Sequence, residues 1–262
     1  MCLVGLQLLA HFNMSASLVP LASLSQIEST PSRQDGIPTD LEEDLRAYGC
    51  KLVHQAGILL RQYACPIITG PCQLWQKSCR KQVAVATAQI LFHRFWFVTS
   101  MKQFGIGVSM YNHRECAYMT CRPQDIGMGA LYLASKLEEC PIRMRDLINV
   151  YDLLLQRITH SHSPNVNPNN PDEGFKYAPM SYFGTTFYDL KDALVVAEMQ
   201  ILKRLGFNVH VVLPYGTLVN YLRVLGLTSR EDVCTRAWGY LNDAWVLALF
   251  LFFSVVSSWY HR

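Results

Sequence analysis

DIGMGALYLASKLEECPIRMRDLINVYDLLLQR, Asp125 to Arg157, is the stretch whose reading decides the fold. It reads as two helices broken at Cys140–Pro141. The first is rich in small residues and ends in Ala134-Ser135-Lys136-Leu137-Glu138-Glu139. In the second, Met144, Leu147, Ile148, Tyr151, Leu154 and Leu155 recur at the spacing of one buried helical stripe. Asp125 is placed to cap the first helix and Pro141 to open the second.

The same period extends on both sides. Leu41, Leu45, Tyr48, Leu52, Ala56 and Leu59 predict a helix ending near Arg61, opened by a Thr39–Glu42 capping box. A second helix is expected from about Lys81 to Phe97, small in its first half and aromatic in its second. The Pro- and Asn-rich run from Ile158 to Gly184 reads as a long loop. Beyond it Phe187, Leu190, Leu194, Ala197, Ile201 and Leu205 form one stripe, with Thr185 or Thr186 to cap it and Gly206 as its C′ glycine. Pro214 opens a helix to about Leu225, and Ser229 or Glu231 another to about Asp243. No strand pattern exceeds the short link Phe207–Val212. The fold class is therefore all-α.

Composition narrows the function. The chain has 262 residues, 16% of them charged, and a net charge of +3. Average usage is about 25% charged, and a nucleic-acid surface would carry a dense Lys/Arg stripe. Nine cysteines, an odd count, fit a reducing compartment rather than a disulfide framework. Cys65, Cys72 and Cys79 stand seven apart, with Cys116, Cys121 and His113 further on. Structural zinc prefers ligand pairs two to four residues apart, so no metal is expected. No phosphate loop, nucleophile elbow or metalloprotease motif occurs. Neither a catalytic residue nor a cofactor is expected. Ala244 to Tyr260 is seventeen residues without charge, at the lower limit for a membrane span.

Two polar residues stand alone on apolar helices. Lys136 lies near the end of the third helix and Glu198 within the apolar run Ala193–Leu202 of the fifth. If those helices lie side by side, the pair emerges on one apolar surface. It then either fixes register at a protein interface or closes an internal salt bridge. Glu138 and Glu139, about 100° apart on a helix, cannot converge as an acid/base pair and read as a solvated helix end.

ASKLEE at 134–139, the KQVAVATAQ helix running into His93-Arg94-Phe95, and AEMQILKRLGF at 197–207 together resemble the cyclin box. RMRDLINVYDLLLQR and KRLGFNVHVVLPYGTLVNYL are similar to the cyclin L branch of the transcription-type cyclins. The resemblance covers roughly Leu21 to Asp243. It implies one five-helix cyclin box followed by an incomplete second repeat. The arrangement expected is an N-terminal arm at 1–36, disordered or loosely attached, a first box at 37–212, a partial repeat at 213–243 and an apolar end at 244–262. It also implies a nuclear, non-enzymatic subunit that binds and activates a cyclin-dependent kinase in RNA polymerase II transcription and pre-mRNA splicing. Lys136 and Glu198 are then the kinase-contacting residues. Splicing or transcription complexes are further partners, and direct nucleic-acid or membrane contact is not expected. The alternatives are a cyclin-fold general transcription factor that binds nucleic acid, and a helical protein anchored in a membrane by 244–260.

Segments 63–80 and 108–124 do not resemble family sequence. Removing them joins Gln62 to Lys81 and Gly107 to Asp125 in continuous cyclin-like sequence, the pattern of unspliced intron or misassigned exon. Full-length transcript reads are expected to lack both segments in most copies. Reads that carry both in most copies would overturn this reading.

Overall fold

The computed structural model describes residues 26, 28–60, 72–104, 123–163 and 172–246. Eight α-helices and no strand occur among them: α1 Pro31–Gln34, α2 Thr39–Leu59, α3 Cys72–Val98, α4 Pro123–Leu137, α5 Met144–Ser161, α6 Thr185–Arg204, α7 Tyr215–Val224 and α8 Glu231–Val246. Helix α4 is the hub and packs against α2, α3, α5 and α6. Its composition explains this. Gly127, Gly129, Ala130, Ala134 and Ser135 are all buried, and small side chains let neighbouring backbones approach from several sides.

One core joins α2 to α6. Leu52, Val53 and Ala56 come from α2, Leu91, Phe92, Phe95 and Trp96 from α3, and Ile126 and Leu131 from α4. Leu147, Ile148 and Tyr151 of α5, and Leu194, Ala197 and Ile201 of α6, complete it. The aromatic half of α3 stacks edge to face, Phe95 on Trp96 at 4.9 Å and Phe92 on Trp96 at 6.0 Å, a favoured ring geometry. A smaller cluster holds α7 and α8 on the middle of α3, with Tyr215 and Trp238 against Ala86 and Ile90. Gln82 Nε2 and the Tyr215 hydroxyl both donate to Asn242 Oδ1, at 2.8 and 3.0 Å. The buried Arg94 guanidinium donates to His210 O at 2.8 Å, tying the 208–213 link to α3. Burial lowers its pKa to about 10.

Several local expectations change. Thr39 is the first residue of α2, the N-cap is Pro38, and no side-chain cap bond forms. Glu42 turns inward instead. It is fully buried and accepts from Thr30 Oγ1 and Arg33 Nε, both at 2.9 Å. Arg46 lies 3.7 Å away. An isolated buried carboxylate is strongly unfavourable, so these partners dock residues 28–36 on the bundle. That part of the expected loose arm is held. Ser32 is buried and its Oγ accepts the Met101 N–H at 3.0 Å. Helix α3 starts at Cys72, so part of segment 63–80 is helical. Asp125 lies inside α4, which starts at Pro123, and α5 starts at Met144 with Arg143 as N-cap. Gly184, not a threonine, is the N-cap of α6.

The break between α4 and α5 spans 138–143. Glu139 adopts φ 54°, and the Cys140 N–H closes on Ser135 O at 2.8 Å and the Glu139 N–H on Lys136 O at 3.2 Å. This is a Schellman ending with glutamate in the glycine position. Ile142 then tucks into the core, which delays the next helix past Pro141. At the end of α6 the expected Gly206 does adopt φ 58°, and the Phe207 N–H reaches Leu202 O at 2.8 Å. Helix α5 continues to Ser161, beyond the loop boundary expected at Ile158. Residues 172–182 lie along it. Gln156 pairs with the Ala178 backbone through both amide atoms, at 3.0 and 3.2 Å, Arg157 pairs with Asp172, and Arg145 stacks on Tyr182 at 3.6 Å.

A Cβ built on Gly129 would stand 2.8 Å from Ala197 Cβ and 3.0 Å from Glu198 N. Gly129→Ala is therefore expected to lower the unfolding free energy by about 1–3 kcal/mol, the usual cost of overpacking. Urea denaturation reads it, and an unchanged midpoint and slope would contradict so close a crossing.

Candidate functional site: the Lys136–Glu198 surface

The α4–α6 crossing sets the site. Ala197 faces Gly129 at its closest point, which puts Glu198 at the edge of the seam. Lys136 lies seven residues beyond Gly129, close to two full turns, and so returns to the same side of α4. Helical side chains lean toward the N-terminus of their helix. The lysine stem accordingly runs back over the Tyr132 ring, with Nζ 4.1 Å from its centroid. Nζ donates to Glu198 Oε1 at 2.6 Å and to Oε2 at 2.9 Å.

The two expected site residues are thus brought together across 62 positions of sequence. The internal salt bridge is present, yet it does not hide the lysine. The Lys136 side chain is 45% exposed and that of Glu198 14%. An ion pair this exposed contributes only about 0.2–1 kcal/mol to folding. On the same two helices Leu137, Val195, Val196 and Met199 are exposed. Such exposed side chains and so weak an ion pair contribute little to the protein's own stability.

Three features along α4 and α6 or at their ends were not anticipated. Tyr132 lies beneath the ammonium, and its signal was an aromatic four residues before a lysine on one helix. Glu138 is not a purely solvated helix end, since its Oε1 accepts from Thr87 Oγ1 of α3 at 2.8 Å. Phe207, just past the C′ glycine, is exposed and held at φ 61°, a left-handed conformation that costs a non-glycine residue about 1–2 kcal/mol. Nothing in the spacing of apolar residues marks that strain.

Among the described residues no three His, Cys, Asp or Glu side chains gather as metal ligands. Cys65, His113, Cys116 and Cys121 lie outside the described residues. No described helix is long and apolar enough to cross a membrane; of the apolar end, residues 247–262 also lie outside. The Cys50 thiol packs against the His93 ring, Sγ to Nε2 3.2 Å. Burial raises its pKa well above that of a free thiol, which makes it a poor nucleophile.

Helices α2 to α6 around one core, followed by α7 and α8, form an all-α cyclin fold. Across 229 residues, 87% of this chain, it is 34% identical to Cyclin-L1 of Homo sapiens. It is 35% identical over 234 residues to Cyclin-L1 of Xenopus laevis, 89% of this chain. Over 219 residues, 84% of the chain, it is 32% identical to Cyclin-L2 of Homo sapiens. The aligned parts make up 33%, 36% and 32% of those proteins, so the chain spans about a third of their length. No family model matches the chain. The chain belongs to the cyclin family, in its cyclin L branch.

Proposed function

We propose that this chain is the kinase-docking part of a regulatory subunit. Its partner is a cyclin-dependent serine/threonine kinase that acts in the nucleus, in RNA polymerase II transcription and pre-mRNA splicing. The observation that carries the reading is the Lys136–Glu198 pair on an exposed apolar surface. A docking surface supplies affinity through apolar area, while a few charges fix register and exclude wrong partners. Two charges cannot hold a partner alone, because a stable interface buries about 800 Å² on each side. Leu137, Val195 and Met199 are exposed apolar side chains on the same two helices.

Such a subunit does no chemistry. A kinase needs its Lys–Glu ion pair and its activation loop in the competent arrangement before phosphoryl transfer proceeds. A partner that binds that arrangement more tightly than the idle one populates it by the ratio of the two affinities. Shifting the population from 1:99 to 99:1 takes a preference of about 10⁴. A broad apolar contact of fixed register is suited to supplying it, since only one relative orientation of two kinase elements matches the surface.

Affinity purification of the chain should recover a kinase with measurable activity. Lys136→Glu and Glu198→Lys should each weaken recovery about thirtyfold or more. That corresponds to about 2 kcal/mol, the low end of the cost of leaving one charge unpaired in an interface. Helix content by circular dichroism should not change. Undiminished recovery with both variants would overturn the reading.

A further inference from the structure

We infer that Tyr132 is a positioning residue for this surface, one that holds the Lys136 ammonium on Glu198 before any partner arrives. The inference rests on the docking reading above. Tyr132 is half-buried and packs against the main core, so its ring is a fixed platform. Lys136 lies one turn further along α4 and folds back over that platform, its Nζ 4.1 Å from the ring centroid. Two unlike contacts then fix one ammonium group: the face of a π-system from α4 itself, and both oxygens of Glu198 from α6, at 2.6 and 2.9 Å.

The choice of a ring has a consequence for recognition. A lysine has a long, flexible stem with a strongly hydrated head. Left free on an exposed surface, it would have to be ordered when a partner docked, and ordering a rotamer-rich side chain is one of the costs of association. A second carboxylate could hold it in place, but would leave the site with net negative charge. An aromatic face attracts the cation through its quadrupole and leaves the formal charge unchanged. The partner therefore meets a preassembled, net-neutral pair of one positive and one negative group, each in a fixed place. Nearly half of the lysine side chain remains exposed, so one side of the ammonium stays open to an acceptor group on the partner. The glutamate is mostly covered, so it is the lysine that the surface displays.

The test uses the full chain with Tyr132→Phe and Tyr132→Leu. Two quantities are read: the NMR shifts of the Lys136 ε-methylene and ammonium groups, which a ring face moves upfield, and the affinity for the kinase recovered with the unaltered chain. Leucine should return the Lys136 resonances to the ordinary lysine position and weaken the kinase about two- to fivefold, the range for an exposed cation–π contact. Phenylalanine keeps the ring and should preserve the shifts, with affinity within a factor of two of the unaltered chain. Lys136 resonances unmoved by leucine would overturn the inference. So would equal losses of affinity in both variants, or no loss in the leucine variant where Lys136→Glu is impaired. If the unaltered chain recovers no kinase, the docking reading fails by itself. The resonances then still decide whether Tyr132 places Lys136.

Discussion

The backbone approach of α6 to α4 at Gly129 is the constraint on which the site depends. Only hydrogen stands between the Gly129 backbone and Ala197, and an added Cβ would come within 3.0 Å of the Glu198 nitrogen. Interiors are packed as densely as organic crystals, so this separation has little freedom to change. It fixes the position of Glu198 relative to α4, and with it the distance that Lys136 must span. The same helix carries Gly127 toward Val53 and Tyr151. One small-residue helix thus serves as the reference against which four others are placed.

Two ion-pair groups in this chain differ in burial, and so in what they contribute to folding. Glu42 is fully buried among Thr30, Arg33 and Arg46. Removing one member of such a buried group leaves an uncompensated charge and typically costs about 3–5 kcal/mol. That cluster is structural and binds residues 28–36 to the bundle. Lys136 is nearly half exposed while Glu198 is mostly covered, and a pair with one end open to water contributes about 1 kcal/mol. Folding would hardly notice its loss, whereas a partner that desolvated it would.

The parts of the fold legible in the sequence were those set by local periodicity. The stripe Phe187 to Leu205 became α6, Gly206 took the left-handed conformation that only glycine adopts easily, and the break after Leu137 appeared where Pro141 announced it. What could not be read were features decided by distant residues. Thr39 and Glu42 have the spacing of a capping box, but Thr30, twelve positions earlier, claims the carboxylate. The start of α5 moved to Met144 because Ile142 is needed in the core. The site itself was half legible. An isolated lysine and an isolated glutamate on apolar helices were enough to single out two residues that the fold brings into contact; their partner is a proposal that rests on the cyclin resemblance. Whether they formed a salt bridge or an interface looked like a choice. The geometry shows the bridge formed and the lysine still exposed, so the bridge does not exclude the proposed interface use.

Exchanging the two charges separates an internal brace from a docking element. Lys136→Glu combined with Glu198→Lys keeps an attractive pair across the α4–α6 seam and reverses what a partner meets. The double variant is predicted to unfold within about 0.5 kcal/mol of the unaltered chain, as expected for a surface change, while kinase recovery stays as low as in either single variant. Recovery restored to the unaltered level by the exchange would contradict the account, because the pair would then matter only for what it does inside the chain.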